Sequence, residues 1–170
     1  MKVTKRDGRQ ESVSFDKVTQ RISKQCTDLN IDPIVIAQYV NSNIYDKVKT
    51  SELDELTAQV CISKSTISLD YSKLATRIII SNNHKNTSPS FSETMYILHN
   101  NVDKTTGLKN SLISESLYNI VMNNKQKLND IINYDRDYTF DYFSFKTLEK
   151  AYLLKSNGKT VERIQHMFLR

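Results

Sequence analysis

The stretch from Met1 to Lys17 constrains this chain more than any other. Two short segments, Lys2–Arg6 and Arg9–Val13, flank Asp7-Gly8. That pair is preferred in tight hairpin turns whose two central residues both need φ > 0. Phe15-Asp16 then ends the strand pattern, and Asp16 is placed to cap a following helix. Lys2, Lys5, Arg6, Arg9 and Lys17 crowd this one small element. Donors and positive charge that converge over a helix start suit a polyphosphate. The same residues also suit a solvated strand edge that resists aggregation.

The rest of the chain is built for helices. It holds only three Gly and two Pro in 170 residues, too few for a loop-rich or disordered protein. The length allows one domain or two small ones, and 38% hydrophobic residues supply a modest core. There is no long apolar run and no signal-peptide pattern, so the expectation is a soluble protein of the cytoplasm, with no membrane partner. Cys26 and Cys61 lack any CxxC or Cys/His ligand spacing and read as small buried hydrophobes rather than a disulfide or a zinc site. The net charge is +5, and residues 1–26 hold seven basic against three acidic residues, a local charge of +4. Charge gathered at one end fits a compact anion better than a long DNA footprint.

Taken in order, Phe15, Val18, Ile22 and Cys26 recur at helical spacing. Asp32-Pro33 is a helix start with Pro in the first turn, and Ile34, Ala37, Val40 and Ile44 give that helix an apolar face. A third helix starts at Thr50 or Ser51, with Ser51 and Asp54 resembling a capping box, and Leu53, Leu56 and Val60 along it. Asp70 opens a fourth, which ends near His84. Lys85–Ser90 is polar, contains Pro89 and marks a boundary. Beyond it, Phe91–Asn100 reads as a short helix and Asn101–Asn110 as a polar loop. Leu112–Asn133 reads as one or two helices and Thr147–Lys155 as helix, while Ser156-Asn157-Gly158-Lys159 is a turn. The aromatics from Tyr134 to Phe145 read as packing, because few basic residues interleave with them. Asp135 and Asp137 flank Arg136 and read as a structural ion pair.

Val3-Thr4-Lys5-Arg6-Asp7-Gly8-Arg9-Gln10-Glu11, followed by Phe15-Asp16-Lys17, resembles the opening of the ATP-cone. This is the regulatory nucleotide-binding domain at the N-terminus of many ribonucleotide reductase large subunits. The likeness continues through Thr50–Asp54, Ala75–Ile78 and Ser81–Lys85. Tyr134–Tyr138, Phe145–Glu149, Tyr152–Lys155 and Glu162–Met167 then resemble the helical segment after the cone in class I large subunits of the eukaryotic and viral type. Four positions depart from the pattern: Ser12 replaces a usual basic residue, Thr76 and Ile79 replace smaller residues on the fourth helix, and Ile164 replaces a usual Pro.

The resemblance implies a mainly α fold. A small N-terminal β-hairpin plus four helices form the cone over residues 1–87, and an incomplete helical segment covers 88–170, with the catalytic α/β barrel absent. It implies ATP as activator and dATP as inhibitor, with Mg2+ accompanying the triphosphate. Lys5, Arg6, Lys17 and Lys85 match the phosphate-gripping positions. Glu11 matches a position near the adenine, and the segment Glu11, Ser12, Val13, Ser14, Phe15, Asp16, Lys17 matches the lid. Thr50 and Asp54 match contacts to the phosphates and sugar. No catalytic residue or metal ligand has a counterpart here, so the chain alone is expected to be inactive. The implied partners are the remainder of the large subunit, on the same or a separate chain, a radical-generating small subunit, and further copies in a homo-oligomer. A stand-alone or remnant module that senses nucleotide or binds a partner, with no reductase role, is the alternative. The cone-bearing bacterial repressors carry a zinc ribbon, and no CxxC pair supplies one here.

Overall fold

The computed structural model describes all 170 residues. They fold as two compact units: residues 1–82 with 140–145, and residues 83–139 with 146–170.

In the first unit, β1 (Lys2–Thr4) and β2 (Gln10–Ser12) form an antiparallel hairpin, with Val3 opposite Glu11. A third strand, β3 (Val48–Lys49), pairs parallel to β1, which makes β1 the middle strand. Parallel neighbours need a long crossover, and two helices supply it. Val3 and Val48 meet in register and both are buried. Around them, Lys2 N–H donates to Asp46 (2.8 Å), Lys47 N–H to the Lys2 carbonyl (2.8 Å), and Thr4 Oγ1 to the Lys47 carbonyl (2.9 Å).

The hairpin turn differs from the sequence expectation. Gly8 N–H donates to the Lys5 carbonyl and Lys5 N–H to the Arg9 carbonyl. Arg6 and Asp7 are therefore the central residues, and only Gly8 takes positive φ, at 85°. This longer loop places the left-handed residue after the turn, where glycine adopts it without strain. Asp7 stays in an ordinary conformation and accepts from Arg9 N–H instead.

Helix α1 (Phe15–Ser23) is capped by Ser14, which accepts from Lys17 N–H, and Asp16 sits in the first turn beyond the cap. Cys26 lies past the end of α1, in a turn. Asp32 caps α2 (Pro33–Ser42) by accepting from Ile34 N–H, with Pro33 at the first position as expected. Its buried face is Ile36, Ala37 and Val40, whereas Ile34 and Val35 are exposed. Helix α3 (Thr50–Ser63) begins after Lys49, whose N–H donates to Glu52. Glu52, not Asp54, is thus the carboxylate of its N-terminus. Helix α4 (Leu69–Asn86) buries Leu74, Ala75, Ile78, Ile79 and Ile80, which is most of its circumference, so it is a central helix. Arg77 on α4 fixes the chain after α1. Its guanidinium donates to the carbonyls of Gln25 (3.0 Å) and Thr27 (2.6 Å) and to both oxygens of Asp28.

The second unit packs α5 (Phe91–His99), α6 (Glu115–Asn123) and α7 (Lys125–Asp130) around Phe91, Met95, Leu98 and Val121. A 3-10 helix, Tyr134–Thr139, precedes α8 (Tyr142–Ala151), of which residues 146–151 belong to this unit. A two-residue hairpin follows, β4 (Lys155–Ser156) and β5 (Lys159–Thr160), turning at Asn157 and Gly158, both with positive φ. The chain closes with α9 (Ile164–Leu169). Ile164, at the first helical position, is 1% exposed, so an apolar side chain fits where Pro was the usual residue.

Residues 162–166 tie this unit together. Glu162 is fully buried and accepts from Leu154 N–H (2.7 Å) and the Arg170 guanidinium (2.6 Å). Arg163 donates to the carbonyls of His84 (2.8 Å), in the last turn of α4, and Thr87 (3.1 Å), just past it, and lies over the Tyr134 ring. Gln165 donates to Asp137 (2.9 Å), and Asp137 also pairs with His84 (2.7 Å), which replaces the expected pairing with Arg136. His166 Nδ1 accepts from Arg163 N–H, so its Nε2 carries the proton and donates to the Tyr134 hydroxyl, which in turn donates to the Pro89 carbonyl.

Candidate functional site

The end of β1 delivers Lys5 and Arg6, β2 delivers Glu11, and α1 delivers Lys17 and Arg21. Lys17 and Arg21 are four residues apart and share a face of α1. Lys5 Nζ (3.3 Å) and Lys17 Nζ (3.1 Å) both reach the same oxygen, Oε2 of Glu11. The next cation on each element repeats the pattern deeper in the unit. Arg6 Nη2 (2.9 Å) and Arg21 Nη2 both reach Oδ2 of Asp54. Arg6 also donates to Asn82 Oδ1 (2.6 Å), and Asn82 donates to the Ser51 carbonyl (3.2 Å).

Burial separates the two clusters. The Glu11 side chain is 36% exposed and the Asp54 side chain 4%. Lys17 and then Lys5 hold the Glu11 carboxyl below its usual range. The Arg21 pKa is lowered too, but for a cation that disfavours the charged form. Burial lowers its pKa most, Asp54 opposes this, and the neighbouring Arg6 adds to the lowering. Four cations thus meet on two carboxylates.

Not every expected residue joins the clusters. Ser12 is exposed in β2, Val13 N–H donates to the Met1 carbonyl, and Ser14 caps α1. Phe15 is half-buried, Asp16 is exposed, and Thr50 starts α3 one turn before Asp54, on the same face. Lys85 is exposed in the last turn of α4, within the second unit. The sequence reading missed Arg21 and Asn82. One available signal was Asp54 itself, which shares the stripe of Thr57, Ala58 and Cys61 on α3 and is buried with them. A carboxylate on a core stripe demands cations.

Other chemistry is sparse. Burial pushes the Cys61 thiol up to about 12, and Cys26 is raised by the same cause, so neither is poised as a nucleophile. No three His, Cys, Asp or Glu side chains group to hold a metal ion. No helix is long and apolar enough to cross a membrane.

The ATP cone domain family matches residues 1–86, half of the chain. The chain belongs to the ATP-cone family. Its similarity extends past the cone, to the N-terminal region of ribonucleoside-diphosphate reductase large subunits. All of the chain aligns with the large subunit of Arabidopsis thaliana at 48% identity over 173 positions, covering 21% of that protein. Large chain 2 of Saccharomyces cerevisiae is 47% identical over all of this chain and 20% of its own length. The large subunit of Vaccinia virus (strain Copenhagen) is 50% identical over all of this chain and 22% of its own length. The chain thus spans about a fifth of the length of the relatives it matches.

Proposed function

We propose that this chain is the regulatory N-terminal portion of a ribonucleoside-diphosphate reductase large subunit, with ATP as activator and dATP as inhibitor. The observation that carries this reading is the convergence of Lys5, Arg6, Lys17 and Arg21 on two carboxylates, with Lys17 in the first turn of α1 and Arg21 in its last. A nucleoside triphosphate carries a charge of about −4, which such a cluster and a helix N-terminus compensate. The donor set fits a polyphosphate. No three His, Cys, Asp or Glu side chains gather there, so in this reading Mg2+ travels on the phosphates.

In this reading Lys5, Arg6, Lys17 and Lys85 hold the phosphates. Thr50 supplies a hydroxyl, and Asp54 sets Arg6 in place. Glu11 exchanges a lysine for the adenine amino group as the segment Glu11–Lys17 closes over the nucleotide. Residues 1–87 form the sensing domain, and 88–170 lead toward the catalytic part of the large subunit. ATP and dATP act by stabilising different subunit arrangements of a homo-oligomer, which works with a radical-generating small subunit in the cytoplasm. The charge is compact, which suits a nucleotide and not DNA.

Calorimetric titration with ATP, dATP and GTP in magnesium buffer tests this. Saturable, adenine-selective binding supports the reading. A folded chain that binds none of the three overturns it and leaves a remnant or partner-binding module.

A further inference from the structure

The paired clusters carry an inference about Arg21. A single carboxylate compensates a single guanidinium, yet two guanidinium groups meet on one oxygen of Asp54, whose side chain is 4% exposed. Burial first, and then Arg6, disfavour the charged form of Arg21. Its position is also ordered relative to the outer cluster. Lys5 and Arg6 are consecutive on the hairpin, and Lys17 and Arg21 are consecutive turns of α1. Each hairpin cation therefore faces an α1 cation across a shared carboxylate, and the two rungs form one ladder of positive charge. A second anion beside the inner rung would relieve the repulsion there. A guanidinium suits phosphate, because its planar fork reaches two oxygens at once.

We propose that Arg21 is a further phosphate-binding residue of this site, held on Asp54 in the free chain and transferred to the phosphates when a nucleotide arrives. Asp54 then keeps Arg6, supported by Asn82, and serves as the internal anion that stores Arg21 until the ligand replaces it. This proposal rests on nucleotide binding as proposed above.

The test is calorimetric titration of the whole 170-residue chain, wild type, Arg21→Gln and Arg21→Lys, with ATP and with AMP at low and high salt. Thermal unfolding of each variant runs alongside. Loss of a charge-assisted contact predicts an ATP affinity for Arg21→Gln lower by about tenfold or more. AMP affinity changes far less, and the salt dependence of ATP binding becomes shallower by about one ion. Arg21→Lys keeps that salt dependence with a smaller loss of affinity. If Arg21→Gln binds ATP like the wild type, or loses ATP and AMP equally, Arg21 is structural and the proposal falls. If Arg21→Gln does not fold, Arg21→Lys decides: wild-type affinity overturns the proposal, and a weakened, salt-sensitive ATP site supports it. A wild-type chain that binds no ATP defeats the functional reading itself, and the Arg21 proposal with it. That failure is distinct from a wild type that binds and an Arg21→Gln that binds equally.

Discussion

His166 should make the second unit lose stability on mild acidification. The ring is fully buried, accepts from Arg163 N–H through Nδ1 and donates to Tyr134 through Nε2, so the fold is built around the neutral imidazole. Burial first, and the Arg163 charge second, lower its pKa to about 4 from 6.5. The unfolded chain takes up a proton near pH 6.5 and the folded chain only near 4. Between those values the unfolded state binds more protons, so stability falls as the pH falls. The full loss is worth roughly 3 kcal/mol, and about 2 kcal/mol of it is reached by pH 5. Carboxylates with lowered pKa values act near and below pH 4 and contribute little in this window. Urea unfolding at pH 7, 6 and 5, followed by far-ultraviolet circular dichroism, measures the change. His166→Gln is the control, because it keeps a polar side chain and removes the proton site. It should be less stable than the wild type at pH 7 by about 1–2 kcal/mol for its lost hydrogen bonds, and the two should converge by pH 5. Curves that stay parallel from pH 7 to 5 would refute the reasoning.

Lys5→Ala and Lys85→Ala should each weaken ATP binding about tenfold with unchanged melting temperature, as expected of partly exposed phosphate ligands. Unchanged affinity in both would sink the site assignment. Arg77→Met should destabilise the first unit by about 2 kcal/mol, since the carbonyls of Gln25 and Thr27 lose their donor. Limited proteolysis should then cut first near Thr27, and an unaltered digestion pattern would count against that role. The chain should reduce no nucleotide when mixed with a radical-generating small subunit, and turnover without another large-subunit chain would overturn this.

The parts of the fold that were legible in the sequence are those written in neighbouring residues. Asp32-Pro33 announces α2, Asn157-Gly158 announces the β4–β5 turn, and Ser81–Lys85 lies in the last turns of α4. Strand β3 was not legible, because two residues are too few to show alternation and its partner β1 lies over forty positions away. The run Ile34-Val35-Ile36-Ala37 offers two apolar faces, and only packing selects Ile36 and Ala37 as the buried pair. At the site, the hairpin cations and Glu11 were visible as a local cluster. Arg21, Asp54 and Asn82 come from three helices, and their contacts, Arg21 with Asp54 and Asn82 with Arg6, exist only once those elements are assembled. Asp54 was misread as a capping residue for the same reason. Spacing along α3 shows a carboxylate near a helix start, whereas its arginines are 33 and 48 positions distant.

The central place of β1 has an evolutionary consequence. The strand is bonded on both sides, by β2 and by β3, and the loop from Lys5 to Arg9 is closed by its own backbone bonds. The path of that loop is therefore held by the main chain, by Val3 and by Asp7, whose carboxylate accepts from Arg9 N–H. Substitutions at positions such as 5, 9 and 12 can alter the charge that the hairpin presents while the scaffold beneath stays unchanged. A sensor built this way can be retuned from one lineage to another by single mutations, without passing through an unfolded intermediate form.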